Sequence, residues 1–370
     1  MTKKSSFNSH IFYGPELWSL QNQGGISRYY SELVKRISQV NKSTKAFIPK
    51  NKNLYVSNIP DDLKIFCDKT RTSSLIKLAQ NNISNKAEDL IYHTTYYGNT
   101  KFKLWNDAGF KNVVTVFDLI SEKFSKKKSR LNLKSDLKKK AILSADHIIC
   151  ISNTTKIDLM DIYNVSEEKI SVTYLGCELG NAEREKIEVG EKSSFLLYVG
   201  KRQGYKNFKN LLFAFAESKK LKNYFQIVAF GGGSFTKIEN ELITSLGLNE
   251  TVIQVSGSDE NLAQAYKKAA ALIYPSFYEG FGLPPIEAMN YGCPVIASDK
   301  GSIPEICKDA AIYFDPNNIE QISITIENTL NDGALLQEKI GKGVITAKQY
   351  SWQNTTSETL QVYQNMISKS

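Results

Sequence analysis

Short apolar runs alternate along the chain with stretches whose apolar residues return at helical spacing. In the first half the runs are IFYGPEL (11–17), KAFIP, DDLKIFC, DLIYHTTYYG (89–98), VVTVFDLI (113–120), ADHIICIS (145–152) and ISVTYLGCEL (170–179). Bounded by turn residues, they predict buried strands. Between the first two, Ile26, Tyr30, Leu33, Val34 and Ile37 mark the inner face of a helix. Ser152 or Asn153 is positioned to cap the helix after ADHIIC, because a short polar side chain there accepts a first-turn N–H. The second half repeats the scheme with FLLYVG, FQIVAFGGG (225–233), TVIQV, AALIYPS and CPVIAS, and with a helix whose inner face is Phe208, Leu211, Leu212 and Phe215. Strand–helix alternation of this kind predicts an α/β protein with doubly wound parallel sheets. Residues 178–194 lose all periodicity and carry mixed charge, so a domain boundary is expected there.

Length agrees: 370 residues exceed one ordinary core and suit two domains. We expect domains over 1–185 and 186–350, with a terminal helix over 351–370. No apolar stretch approaches the roughly 20 residues of a membrane helix. MTKKSSFNSH lacks the apolar core of a signal peptide, so a cytoplasmic protein is expected. Five cysteines without C-x-x-C spacing and only three histidines suggest neither a disulfide framework nor a metal site. The net charge of +9 is concentrated between Glu122 and Lys140, where nine basic residues face two acidic ones. Such a cluster attracts phosphates, and a solvated helix face explains it equally well. Nucleic acid is not expected, since no aromatic residues interleave with the charges and no binding motif accompanies them. An anionic membrane surface fits better, as a peripheral contact on the inner face of the cell membrane.

The candidate chemistry gathers in YPSFYEGFGLPPIEAMNYGCPVIAS (274–298). A buried strand runs into a glycine-rich turn, Pro284 and Pro285 open a helix, and CPVIAS forms the next strand. Free backbone N–H groups and the helix dipole make such a helix start favourable for an anion. Glu279 and Glu287 bracket the turn and can accept hydrogen bonds from hydroxyls. A phosphate cradle beside two carboxylates suits a nucleotide sugar, although Glu287 in a first helical turn is favourable for the dipole alone. In the loop after FLLYVG, Arg202 and Lys206 can neutralise a diphosphate. Gly24–Gly25 before the first helix permits close approach of a ligand to the backbone. Asp118 ends a strand, where parallel sheets place ligand groups, and His93 sits near another strand end.

EGFGLPPIEAMNYGCPVIAS resembles the E-x7-E signature of retaining glycosyltransferases of family 4, and YVG-x-R-x(3)-KN resembles their second signature. The resemblance spans most of the chain. It implies the GT-B arrangement: two Rossmann-like doubly wound parallel-sheet domains facing a cleft, with the N-terminal one on the acceptor side, the C-terminal one binding the nucleotide sugar, and the last helix crossing back to the N-terminal domain. It further implies a metal-independent transfer of a hexose from a nucleotide diphosphate sugar, GDP-mannose or a UDP-sugar, to a hydroxyl of a glycan or lipid-linked acceptor, in surface polysaccharide or lipopolysaccharide synthesis. No cofactor is expected besides that donor. By the same resemblance Glu279 faces the hexose hydroxyls, Glu287 takes the ribose hydroxyls, and the backbone around Gly280, Phe281, Gly282 and Leu283 meets the sugar and diphosphate. Arg202 and Lys206 clamp the phosphates and stabilise the leaving group. Gly24, Gly25 and Arg28 reach donor phosphates and acceptor, and His93 and Asp118 are further acceptor-side candidates.

One position departs from the pattern. Many relatives carry His–Asp after the strand matching VVTV, whereas here the pair is Phe117–Asp118. Two other readings stay open: a nucleotide-sugar epimerase of the same architecture, and a non-catalytic relative that binds sugar or membrane. A glycosidase also uses two carboxylates, but needs no Arg–Lys clamp.

Overall fold

The computed structural model describes residues 9–20, 22, 24–68, 71–83, 89–97, 101–124, 133–177 and 194–368, with the backbone alone at 133–135. The chain divides into two compact units, Met1–Gly176 with Trp352–Ser370, and Cys177–Ser351. The boundary expected at 185/186 lies within 178–193, outside the described residues.

The first unit is built on seven strands: β1 (Ser9–Tyr13), β2 (Thr44–Pro49), β3 (Lys64–Cys67), β4 (Asp89–Thr94), β5 (Phe110–Val116), β6 (His147–Cys150) and β7 (Ile170–Val172). They form one sheet in the order β3-β2-β1-β4-β5-β6-β7, with every pairing parallel. Parallel strands covered on both faces read as continuous apolar runs, which is how IFY, VVTV and HIIC stand in the sequence. On one flank Phe12, Phe47, Tyr92, Trp105 and Phe110 pack together, with the Tyr92 and Trp105 rings stacked at 3.9 Å. Val114, Val116, Ile142, Ile148 and Leu159 form a second cluster.

The second unit carries β8 (Phe195–Val199), β9 (Gln226–Phe230), β10 (Val252–Val255), β11 (Ala271–Tyr274), β12 (Val295–Ser298) and β13 (Ala311–Phe314). Their order, β10-β9-β8-β11-β12-β13, repeats that of β3-β2-β1-β4-β5-β6 in the first sheet, again all parallel. Leu196, Ile227, Ile273 and Ile296 from the strands meet Phe208, Leu211, Phe215 and Ile326 from the helices. Each expected run contains a strand, but the bounds differ: β1 stops at Tyr13 before the helix Glu16–Leu20, β5 stops at Val116 before the helix Ile120–Phe124, and β7 is confined to Ile170–Val172.

The helix Trp352–Ser368 belongs to the first unit. It is held by polar as well as apolar contacts. Tyr363 places its hydroxyl 3.0 Å from that of Tyr13 and 2.6 Å from His93 Nδ1, and Thr355 Oγ1 donates to the Tyr174 carbonyl at 2.8 Å. Among the described residues no helix is long and apolar enough to cross a membrane. All five cysteines are buried.

Candidate functional site

In an open parallel sheet, ligands bind beyond the carboxyl ends of the strands where the strand order reverses. In the second unit that point lies between β8 and β11, paired through Ala271–Leu196 and Leu272–Leu197. The loops leaving these two strands are therefore brought together by topology. One carries Lys201–Lys206, the other Pro275–Gly282. Phe277 N–H donates to the Tyr205 carbonyl at 2.8 Å, and the Asn207 amide, in a left-handed conformation at φ 55°, donates to the carbonyls of Pro275 and Pro316.

This frame sets Lys206 against Glu279. Lys206 Nζ donates to Glu279 Oε1 at 2.7 Å and to the Tyr274 hydroxyl at 3.2 Å. It also lies over the Tyr205 and Tyr274 rings at 5.4 and 5.3 Å, a favourable position for a cation. Their side chains retain only 16% and 9% of their exposure, so the pair is largely withdrawn from solvent. Burial and then the Glu279 charge push the Tyr274 phenol well above its ordinary pKa.

The Glu279 loop is buttressed from behind. Ser302 Oγ lies 3.0 Å from the Glu279 carbonyl and 2.9 Å from that of Phe281. Gly301, at φ +63°, brings its backbone so close that an added Cβ would lie 2.9 Å from Glu279 N. Gly282, at φ 98°, caps the helix Leu283–Asn290, whose first turn carries the prolines; a side chain at that φ is strained. The buried Gly280 and Phe281 and the half-buried Leu283 complete the turn. Glu287, 8% exposed, projects from the same helix and accepts from the Tyr266 hydroxyl on Oε2 at 3.0 Å.

Arg202 departs from the expected clamp. Its side chain is 2% exposed and pairs with Glu239 through Nε at 2.9 Å. Its terminal nitrogens donate to the carbonyls of Gly231, Gly233 and Ser234 at 2.8, 2.9 and 3.0 Å. The guanidinium also covers the Phe235 ring at 4.8 Å. Three successive glycines at positive φ, Gly231 to Gly233, are thus organised around one buried cation. The planar fork that suits a diphosphate is engaged by backbone carbonyls here.

In the first unit the short helix Glu16–Leu20 follows β1, and Gly24 caps the helix Gly25–Val40 that Gly25 opens. The half-buried Arg28 lies in its first turn, with its N–H donating to the Gly24 carbonyl at 3.1 Å. His93 is fully buried on β4, its Nδ1 against Tyr363 and its Nε2 2.9 Å from Thr115 Oγ1. Burial pushes its pKa down to about 3. His93 is therefore neutral and part of a hydrogen-bonded core with Tyr13, Tyr363 and Thr115. Phe117 packs edge-on against Tyr29 at 5.3 Å and Tyr30 at 6.1 Å, so this position serves the aromatic core. Asp118 is half-exposed and accepts from Ile120 N–H at 3.1 Å, a turn-forming contact.

The basic stretch is less exposed than its charge suggests. Lys138 is 5% exposed, with Nζ 3.0 Å from Glu122 Oε2 and 2.6 Å from the Asp118 carbonyl. Lys123 pairs with Asp158. Burial would raise the Glu122 carboxyl, but Lys138 holds it below its ordinary value. Lys139 and Lys140 are exposed, while 125–132 lie outside the described residues. Two cations of the expected membrane-facing run therefore serve internal ion pairs.

Pattern reading passed over Tyr266, Tyr274, Ser302 and Glu239. Each looks like ordinary core or surface in sequence, and only Gly301, a glycine before Ser302, hinted at a close approach to the central loop.

Residues 181–345 match the family model described as glycosyl transferases group 1. The chain is 31% identical over 234 residues to the O-antigen chain mannosyltransferase B of Escherichia coli, covering 60% of this chain and 61% of that one. It is 32% identical over 195 residues to the O-antigen chain mannosyltransferase RfbU of Salmonella typhimurium, covering 52% and 53%. The chain thus matches less than two thirds of the length of these relatives. Among solved structures, sucrose-phosphate synthase from Thermosynechococcus elongatus superposes with a TM-score of 0.74 at 19% identity, over 98% of this chain and all of that one. Two Rossmann-like parallel-sheet domains on one chain, with such neighbours, make the fold GT-B.

Proposed function

We propose that the protein is a retaining, metal-independent glycosyltransferase of family 4 that transfers a hexose from a nucleotide diphosphate sugar to a hydroxyl of a glycan or lipid-linked acceptor. One observation carries it: Lys206 meets Glu279 at 2.7 Å beyond the strand-order reversal, and the Glu279 loop leads into the helix Leu283–Asn290 that bears Glu287 past its first turn. The similarity to O-antigen mannosyltransferases supports synthesis of a surface polysaccharide with mannose as the sugar transferred, from GDP-mannose or a UDP-sugar as donor. In this scheme the bond from the anomeric carbon to the diphosphate breaks, with its electron pair leaving on the diphosphate. Lys206 and the backbone N–H groups of Phe281, Gly282 and Leu283 stabilise the charge that develops there, since Pro284 and Pro285 have no N–H to offer. Glu279 accepts from hexose hydroxyls and Glu287 from the ribose. The acceptor oxygen attacks from the face the diphosphate leaves, and its proton passes to a phosphate oxygen of the donor. Arg202 contributes by shaping the Gly231–Ser234 turn. Gly24, Gly25 and Arg28 are assigned to donor phosphates and acceptor, and Asp118 to the acceptor side.

The test is incubation with GDP-mannose and UDP-hexoses plus a lipid-linked oligosaccharide extract, following nucleoside diphosphate release and the anomeric configuration of the product by NMR. Retention of configuration, undiminished by EDTA, supports the proposal. Inversion overturns the retaining assignment, and loss with EDTA overturns metal independence. A donor isomerised without acceptor points to an epimerase, and donor binding without turnover to a non-catalytic relative. Peripheral contact with an anionic membrane through the 122–140 stretch is tested by co-sedimentation with phosphatidylglycerol vesicles.

A further inference from the structure

Glu287 has a neighbour whose chemistry is not that of a core filler. Tyr266, on the helix Asp259–Lys268, is fully buried, and its hydroxyl donates to Glu287 Oε2 at 3.0 Å. Its ring lies nearly parallel to that of Tyr291, 9° between planes and 6.2 Å between centroids. Tyr291 stands just beyond the helix that carries Glu287. The phenol is therefore fixed at both ends, by a ring on one side and a carboxylate on the other. Phenylalanine would fill the same space, so packing alone does not call for the hydroxyl.

The terminal torsion of a glutamate is broad, and a carboxylate held only by its chain samples many orientations of its plane. Accepting two hydrogen bonds from a vicinal diol demands one orientation. A charge-assisted bond from a fixed phenol to Oε2 adds to that restraint before any ligand arrives. Burial and the charge of Glu287 keep the phenol protonated far above neutral pH, so it remains a donor throughout.

We propose that Tyr266 is a positioning residue for nucleotide recognition, setting the carboxylate plane of Glu287 for the ribose hydroxyls of a nucleoside diphosphate. This rests on the proposed ribose role of Glu287. Losing one such restraint weakens the ribose contact by about tenfold, the equivalent of one hydrogen bond to a charged group.

The experiment is calorimetric titration of the whole chain with UDP, GDP and their 2′,3′-dideoxy analogues. Wild type is expected to prefer one ribonucleotide over its dideoxy form by at least about tenfold. Tyr266→Phe is expected to lose most of that preference while binding the dideoxy form nearly as wild type does. In a Glu287→Gln background the same substitution should no longer change the ratio, since the partner is already altered. A Tyr266→Phe protein that keeps the wild-type ratio overturns the positioning role alone. A wild type with no ribose preference, or no binding of either nucleotide, overturns the assignment of Glu287 and the inference with it. Should Tyr266→Phe not fold, Tyr291→Leu, which removes the stacked ring, is expected to shrink the ratio, and an unchanged ratio there is equally fatal.

Discussion

Replacing Glu279 by glutamine makes the most discriminating prediction, because it should damage transfer and strengthen diphosphate binding at once. Lys206 Nζ is bound to Glu279 Oε1 at 2.7 Å, with both side chains largely withdrawn from solvent. An arriving diphosphate must share or displace that contact and approach a carboxylate of its own sign. Glutamine keeps the shape and an acceptor oxygen but removes the charge. A hydrogen bond to a charged group contributes about 1.5–3 kcal/mol, against about 0.5–1.5 for a neutral one. Lys206 is thus released by about 1.4 kcal/mol, or about tenfold in affinity. Titration of UDP and GDP should therefore show Glu279→Gln binding about tenfold more tightly than wild type, while transfer falls by about a hundredfold or more for want of the hexose contact. Thermal melting of both proteins controls for folding. A folded variant that binds diphosphate no more tightly than wild type refutes the reasoning, because Lys206 would then not be held by Glu279.

Arg202→Ala is expected to act first on stability. It leaves Glu239 and three carbonyls without their buried cation, at a cost of about 3 kcal/mol, or roughly 6–12 °C in the melting of the second unit; a variant melting as wild type would return Arg202 to the role of an independent phosphate clamp. His93 makes a pH prediction. Burial lowers its folded pKa to about 3, so the folded form is neutral while the unfolded chain takes up a proton below about 6.5. Its contribution is intact above about pH 6.5 and is lost as pH falls toward 3, by about 2–3 kcal/mol at pH 4.5. Melting temperatures should fall less between pH 7 and 4.5 in His93→Gln than in wild type, and an equal fall contradicts the buried neutral ring.

The fold was legible because each strand is an apolar run ending at a glycine or polar turn, and a parallel sheet buries both faces of such runs. Lys206 and Glu279 could be paired in prospect for the same reason: they follow β8 and β11, the two strands that the Rossmann order makes neighbours. The partners of Arg202 were not legible because they are set by tertiary structure. Glu239 lies on the helix Lys237–Ser245, the third α-helix after Arg202, and the Gly231–Ser234 carbonyls resemble an ordinary glycine turn. His93 and Phe117 could not be resolved from pattern either, since a histidine at a strand end looks the same whether it faces a ligand or, as here, Tyr363 from the other end of the chain. Tyr266 sits in phase with its helix's buried face, where apolar spacing conceals a hydroxyl bound to a carboxylate. In the 122–140 stretch, charge counting could not tell exposed lysines from Lys138, whose partner Glu122 lies within the same segment.

The central claim is that this chain holds a nucleotide diphosphate sugar at the end of its second sheet with Lys206 on the diphosphate. Thermal shift with a panel of GDP- and UDP-sugars, run in parallel on wild type and Lys206→Ala, tests it most directly. One donor should raise the melting temperature of wild type, and the shift should largely vanish in the folded variant. No shift with any donor, or an equal shift in both proteins, would contradict the account.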